Sequence, residues 1–456
     1  LEQVIIERLK AFRLTPAQVI VLGFVGMILI GTLLLSLPFV ASEGRMLRPM
    51  DALFTATSAI CVTGLIVQDT AKDFTLFGQV IILFLIQVGG FGYMTIATIL
   101  LVLLGKRIGM RERLAIQEAL NTFTMEGLIR FVFGLIGFTL VIEAAGVVIL
   151  TLRFLKDTDV PHALFSGIFH AVSAFNNAGF SVFSTSLIEY RTDPVINLTI
   201  TALAVMGGLG FLVYQDVYRF LRRETFRITV HTKMVLVASL FLLLAGMGGI
   251  FMLEAGNPAT LQTAGAGERL WVSFFHSAVA RTAGFNTVDI GTLLNPTLYL
   301  LIILMFIGGS PGSTAGGIKT TTFSLLVSML WSTFRGHMEV TVFHRRIPPY
   351  LISNAFYLAS LAMIFVTGTT LVLLYSEGRS FEHVLFEVVS ATATVGLSVG
   401  DGATRSLSAL FSDFGKAVIT FCMLAGRIGP LMVGLSASER VRHERFRYPE
   451  EKVMIG

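Results

Sequence analysis

Long, uniformly apolar runs alternate along the chain with shorter apolar runs and with polar linkers rich in arginine and lysine. The long runs lie at about 17–38, 76–104, 128–155, 195–218, 234–253, 297–333, 350–375 and 414–436. Each reaches the roughly 20 residues that a helix needs to cross a hydrocarbon core about 30 Å thick. Shorter runs at 51–62, 162–176, 268–281 and 381–393 fall between the two members of each pair, and they are too short to cross. The pattern predicts span, half-helix, loop, span, used four times over residues 1–110, 111–225, 226–340 and 341–456. A half-helix that enters the membrane and returns as extended chain needs protein or a wet cavity around its backbone.

A set of marked positions recurs in the same register. Gly64, Gly179, Gly284 and Gly396 follow the short runs, with Phe54, Phe169, Phe274 and Phe386 ten residues before them. Ser58, Ser173, Ala278 and Ser390 stand six residues before the glycines, and Leu65, Phe180, Phe285 and Leu397 directly after. A period this long is unlike the short-repeat solenoids. It predicts an all-α polytopic membrane protein whose four span–pore-helix–span repeats surround one pore pseudo-fourfold.

Composition agrees with a membrane setting and changes the picture in one respect, orientation. Hydrophobic residues make up 54% of the 456 and charged residues only 14%, with a mean hydropathy of +0.78, against about 25% charged in soluble domains. The positive residues gather in the tails and between repeats: Arg8, Lys10 and Arg13; Lys106, Arg107, Arg111 and Arg113; Arg219, Arg222, Arg223 and Arg227; Arg335, Arg345 and Arg346; Arg440, Arg442, Arg445 and Arg447. The positive-inside rule makes these ends, and both termini, cytoplasmic, and turns the half-helices outward. The net charge of +5 then reads as a basic inner rim with no call for nucleic acid, and the alternatives are attraction for anionic lipid or for an acidic cytosolic partner. Two cysteines, Cys61 and Cys422, make no disulfide framework.

The chemistry this arrangement offers is cation coordination. A half-helix aimed inward presents the negative end of its dipole, and a glycine after it lets backbone carbonyls face an axis. The stretches are Val62-Thr63-Gly64-Leu65, Asn177-Ala178-Gly179-Phe180, Thr282-Ala283-Gly284-Phe285 and Thr394-Val395-Gly396-Leu397. Together they form a candidate filter in which carbonyls replace the hydration shell of a potassium ion. Each has one glycine, so selectivity is expected to be looser than in a strict potassium channel. Asp69, Asp289 and Asp401, with Ser184 in the second repeat, come five residues later; they either concentrate cations at a vestibule or serve as turn aspartates. Arg281 is expected either to brace the loops through a carboxylate such as Glu387 or through carbonyls, or to meet the ion. His170, His276 and His383 lack metal-ligand spacing on one helix and read as structural.

The second span of each repeat contains a small-residue pair, Gly89-Gly90, Gly207-Gly208, Gly308-Gly309 or Ala425-Gly426, which marks either a break or close helix packing. In the third repeat the run Gly308-Gly309-Ser310-Pro311-Gly312-Ser313-Thr314-Ala315-Gly316-Gly317 cannot hold a helix, so it is expected to lie as a loop across the path below the filter. Gly312 to Lys319 nearly spells a phosphate-binding loop, but Ile318 intervenes and no soluble strand precedes it. Arg427 follows the fourth pair. It either snorkels to the inner face or projects into the path and bonds the carbonyls of that loop.

With these residues the chain resembles the KtrB/TrkH family of potassium transporters, in the Trk/Ktr/HKT superfamily, over nearly its whole length. Without two extra leading spans it looks nearer to KtrB. The resemblance implies potassium uptake across the plasma membrane, in a prokaryote the inner membrane, passive or sodium-stimulated. It also implies a gate formed by 308–317 and Arg427, no covalently bound cofactor and no enzymatic activity. Its partners would be a second copy in a homodimer and a cytosolic nucleotide-binding ring of the KtrA/TrkA type, docked at 219–231 and 335–347. The competing function is an alternating-access secondary transporter of a cation or small solute, for which inverted repeats and a midplane site are expected.

Overall fold

The computed structural model describes residues 16–44, 46–92, 95, 128–337, 339–402 and 404–429. The basic residues of both tails, the linker arginines and lysines from Lys106 to Arg113 and the expected 110/111 boundary lie outside them. Fourteen α-helices follow one another among the described residues: α1 (Pro16–Leu35), α2 (Pro49–Ile60), α3 (Leu76–Phe91), α4 (Leu128–Phe154), α5 (Val160–Phe175), α6 (Pro194–Leu209), α7 (Phe211–Leu221), α8 (Val230–Glu254), α9 (Ala266–Val279), α10 (Asn295–Phe306), α11 (Thr320–Phe334), α12 (Pro349–Glu377), α13 (Phe381–Thr392) and α14 (Asp413–Ile428). A two-stranded antiparallel hairpin pairs β1 (Thr341–Val342) with β2 (Arg345–Arg346). The protein is an all-α polytopic membrane protein.

Among the described residues, α1, α4, α8 and α12 contain the four straight segments long and apolar enough to cross a membrane. Large side chains such as Leu33, Val141, Phe241 and Ile364 stay exposed on them, as expected of helices whose solvent is lipid rather than water. Their polar loops lead into α2, α5, α9 and α13, which have half or more of their residues buried. Proline in the first turn of α2 and α5 opens those helices where the missing N–H costs nothing.

The aromatic register is different in the third unit. Phe54, Phe169 and Phe386 are fully buried, and their counterpart is Phe275, 1% exposed, while Phe274 is only half-buried. Backbone bonds show the same shift: Thr63, Ala178 and Val395 donate to Ser58, Ser173 and Ser390, but Ala283 donates to Val279 rather than Ala278, at 2.8 Å. Helix α9 ends one residue earlier relative to its glycine than the other three. Phe274 alone satisfies the ten-residue spacing, but the ring that is buried is its neighbour Phe275, nine residues before Gly284, so Phe274 and Ala278 are corrected to Phe275 and Val279.

Nor is the second helix of each unit the continuous span expected. Helices α6 and α7 meet at 92°, α10 and α11 are separated by residues 307–319, α3 stops at Phe91 and α14 at Ile428. Only the third small pair, Gly308-Gly309, lies in a break; the other three do not. Gly89, Gly207 and Gly426 lie inside helices, where a Cβ would overlap the carbonyl oxygens of Ile60, Phe175 and Thr392 respectively. Missing side chains therefore let α3, α6 and α14 lie directly on the ends of the short helices. The α6–α7 bend falls later, at Gly210 with φ +89°, where a Cβ would come within 2.5 Å of the Pro311 carbonyl; only glycine meets both demands.

First and last units are joined by a buried ion pair. Lys416 Nζ on α14 lies 2.7 Å from Asp51 Oδ1 on α2, with the side chains 9% and 5% exposed, and Gln68 donates to the other Asp51 oxygen at 3.1 Å.

Candidate ion pathway

The residue two before each glycine adopts left-handed backbone: Val62 at φ 57°, Asn177 at 60°, Thr282 at 83° and Thr394 at 51°. Three of these are β-branched, for which such angles are costly. The glycines follow at 92°, 69°, 73° and 93°. Alternating the hand of successive residues turns their carbonyls toward one side rather than to opposite sides as in a strand. The amides turn back to the helix ends. Gly64 N and Gly396 N donate to the hydroxyls of Ser58 and Ser390, each at 3.1 Å. In the second unit the Ser173 hydroxyl instead donates to the Phe180 carbonyl at 2.7 Å.

The four stretches converge. A Cβ on Gly64 would overlap the Ala178 carbonyl oxygen, one on Gly284 that of Val395, and one on Gly396 that of Thr63; one on Gly179 would lie 3.0 Å from that of Ala283. Each glycine thus faces the carbonyl that precedes the next unit's glycine, and the sequence one, two, three, four, one closes on itself. On one side of this ring a vestibule of about 60 Å³ is lined by all four glycines, with Asp69, Ser184 and Arg405 among its other walls.

The acidic residues divide. Asp69 faces the vestibule but is 8% exposed, and its carboxylate accepts from Ala71 N at 2.9 Å. Asp289 caps a turn through Gly291 N at 2.9 Å, and Asp401 pairs with Arg405 at 2.7 Å. Behind the ring, Ser398 donates to Glu387 at 2.6 Å, as does the Ser408 backbone at 2.9 Å. Arg281 does not reach Glu387. It donates to the Ser239 carbonyl at 2.9 Å and hydroxyl at 3.1 Å, the carbonyl alternative. His170 and His276 meet Ser181 and Thr287 at 2.8 and 3.2 Å, each bracing chain that follows the glycine, and no cluster of metal-ligating side chains occurs among the described residues.

On the other side of the ring lies the chain from Gly308 to Gly317. Ser310 N and Thr314 N donate to the carbonyls of Gly208 and Gly207 at 3.0 and 3.2 Å, and Phe211 N donates to Gly312 O at 3.1 Å, which fastens the loop to the α6–α7 bend. The Thr314 hydroxyl lies 2.9 Å from the Asn177 side chain and 3.2 Å from Phe175 O. A Cβ on Gly316 would overlap the Thr394 hydroxyl. The loop therefore runs beneath the ring from the second unit to the fourth. Arg427 Nη1 donates to the Thr314 carbonyl and Nη2 to the Gly89 carbonyl at 2.6 Å. Its guanidinium joins the loop to the first unit's second helix instead of snorkelling away.

The TrkH family model, described as cation transport protein, matches residues 15–445. The chain belongs to this family. It is 41% identical to the Ktr system potassium uptake protein B of Bacillus subtilis, over 98% of both chains. To the potassium/sodium uptake protein NtpJ of Enterococcus hirae it is 36% identical, over 97% of this chain and 98% of that one. The crystal structure of the potassium transporter TrkH from Vibrio parahaemolyticus shares its fold with a TM-score of 0.70 at 20% identity, over 91% of this chain and 84% of that one.

In this member of the TrkH family, four further polar groups take places that the expected pathway did not include. Lys416 is a lysine within an apolar run, which is itself a signal for a buried partner, here Asp51. Lys319 donates to the Ala315 carbonyl at 2.7 Å and so places a second cation at the loop. Arg405 neighbours the ring only because its turn is bonded back to the first unit, with Ser406 N donating to Ile66 O at 2.9 Å. Glu143 was the one carboxylate in the middle of a predicted span.

Proposed function

We propose that the chain is the pore-forming subunit of a potassium uptake system. The observation that supports it best is the closed cycle of Gly64, Gly179, Gly284 and Gly396, each against the next unit's carbonyl. Carbonyls of Thr63, Ala178, Ala283 and Val395, with those of Val62, Asn177, Thr282 and Thr394, replace the water around a potassium ion at the ring. Four pore-helix ends add negative potential there. Sodium is a second transported or stimulating ion, as the name of the potassium/sodium relative suggests. Leu65, Phe180, Phe285 and Leu397 form the hydrophobic backing that holds the ring's diameter, since all four are buried.

Residues 308–317 and Arg427 form the gate. The loop blocks the path while Arg427 holds Thr314, and release of the guanidinium frees it to move. Relatives named as parts of a Ktr system imply regulatory subunits. We place their docking at 219–231 and 335–347, where Arg222, Arg223, Arg345 and Arg346 are exposed. The chain acts as a homodimer in the plasma membrane with these basic segments and both termini in the cytoplasm. The test is flux into liposomes holding the purified chain under potassium, rubidium or sodium gradients. Potassium and rubidium are expected to enter faster than sodium; no cation flux, with or without the regulatory subunit, overturns the proposal.

A further inference from the structure

Glu143 stands eleven residues from each end of the apolar segment Val132–Phe154, roughly 16 Å of helix from either face. It is 4% exposed. A carboxylate at that depth is expensive and faces the protein interior only for a reason. Its bonded partners among the described residues are two amides: Gln87 Nε2 on α3 donates to Oε2 at 3.2 Å, and Asn176 Nδ2 donates to Oε1 at 2.9 Å. The same Asn176 nitrogen lies 3.0 Å from Gln87 Oε1. Its own Oδ1 is buried with no hydrogen-bond partner and packs where a side chain on Gly90 would sit, which sets the closeness of α3 to α5.

The two amides are not placed at random. Asn176 caps the C-terminus of α5 and is followed by Asn177, which has left-handed backbone and touches Thr314. Gln87 precedes by two residues Gly89, whose carbonyl receives Arg427. One carboxylate therefore holds, by single hydrogen bonds, the start of the second filter stretch and the helix turn against which Arg427 is anchored. The Asn176 nitrogen also reaches the Val172 carbonyl at 2.9 Å, so its two hydrogens are shared among that carbonyl, Gln87 Oε1 and the carboxylate, and the carboxylate is the acceptor that also holds Gln87. Glu143 thus bridges the first and second units at the level where Asn176 packs against Gly90.

We propose that Glu143 is a specificity-determining positioning residue. Through Asn176 it fixes where the Asn177 and Ala178 carbonyls stand in the ring, and through Gln87 it ties that placement to the gate anchor. This rests on the ring being the filter.

The test compares Glu143→Ala, Glu143→Gln and the exchange Gln87→Glu/Glu143→Gln in proteoliposomes. The readouts are the rubidium-to-sodium flux ratio, the half-saturating potassium concentration and the melting temperature. Losing one buried hydrogen bond to a carboxylate corresponds to about tenfold in an equilibrium. Glu143→Ala and Glu143→Gln are expected to lower the flux ratio about fivefold to tenfold, and the exchange, which restores one carboxylate among the same two amides, to recover at least half of it. If Glu143→Ala does not fold, Glu143→Gln and the exchange decide. A ratio within twofold of the parent in both single variants overturns the proposal, as does an exchange no better than Glu143→Gln. Gly64→Ser, measured beside them, separates the two claims: a changed ratio there with unchanged Glu143 variants sinks only this inference, and no change in either sinks the filter.

Discussion

Replacing the ring glycines one at a time with alanine tests the filter quantitatively, because the structure ranks the four. All have φ between 69° and 93°, and an alanine held there costs about 1–2 kcal/mol at each position. The second cost differs. At Gly179 the new carbon would stand 3.0 Å from both the Ala283 oxygen and Gly284 Cα, so that stretch has to shift by a few tenths of an ångström but no atoms overlap outright. At Gly64, Gly284 and Gly396 it would overlap the oxygens of Ala178, Val395 and Thr63, so a ring carbonyl has to leave its place. If one carbonyl donor weighs as much for the ion as one charge-assisted hydrogen bond, its loss is about 1.5–3 kcal/mol, or roughly tenfold to a hundredfold in the ratio of two ions. Tracer influx into proteoliposomes, with rubidium and sodium compared at equal protein, reads that ratio. Gly64→Ala, Gly284→Ala and Gly396→Ala are expected to lower it about tenfold or more, and Gly179→Ala about threefold or less. A Gly179→Ala protein as impaired as the others, or four unchanged ratios, refutes the reasoning.

Arg427→Ala removes the bonds to Thr314 and Gly89, each worth about 1.5–3 kcal/mol to the closed arrangement; basal rubidium flux is expected to rise at least tenfold, and equal flux at equal expression counts against a gate. Lys416→Ala leaves Asp51 buried without its cation and is expected to cost about 3–5 kcal/mol, seen as a lower melting temperature in detergent, while Lys416→Met with Asp51→Leu recovers most of it. Phe275→Ala is expected to destabilise by about 3–5 kcal/mol and Phe274→Ala by less than half as much; comparable melting temperatures would show the corrected register to be wrong.

The apolar pattern alone located the four long apolar helices and the four glycines, because each depends on local facts. A run of apolar residues long enough to span lipid has few alternatives, and a glycine after a short apolar run permits a backbone that other residues resist. Arg427 and the loop were legible for a related reason, since a charge and a glycine-serine-proline run are both anomalous inside apolar sequence. Tertiary structure decided what depends on neighbours far along the chain. The Phe274-Phe275 doublet could be settled only by which ring the protein buries. Gly89, Gly207 and Gly426 could be told from hinges only once the carbonyls of Ile60, Phe175 and Thr392 were seen against them. Lys416 with Asp51, Arg281 with Ser239 and Glu143 with two amides are pairings between residues far apart in sequence, and a one-dimensional pattern holds no record of them. The chain by itself determined that four glycines recur in one register; folding decided that each meets the next unit's carbonyl, because a closed ring is a property of the contact between units and not of any one of them.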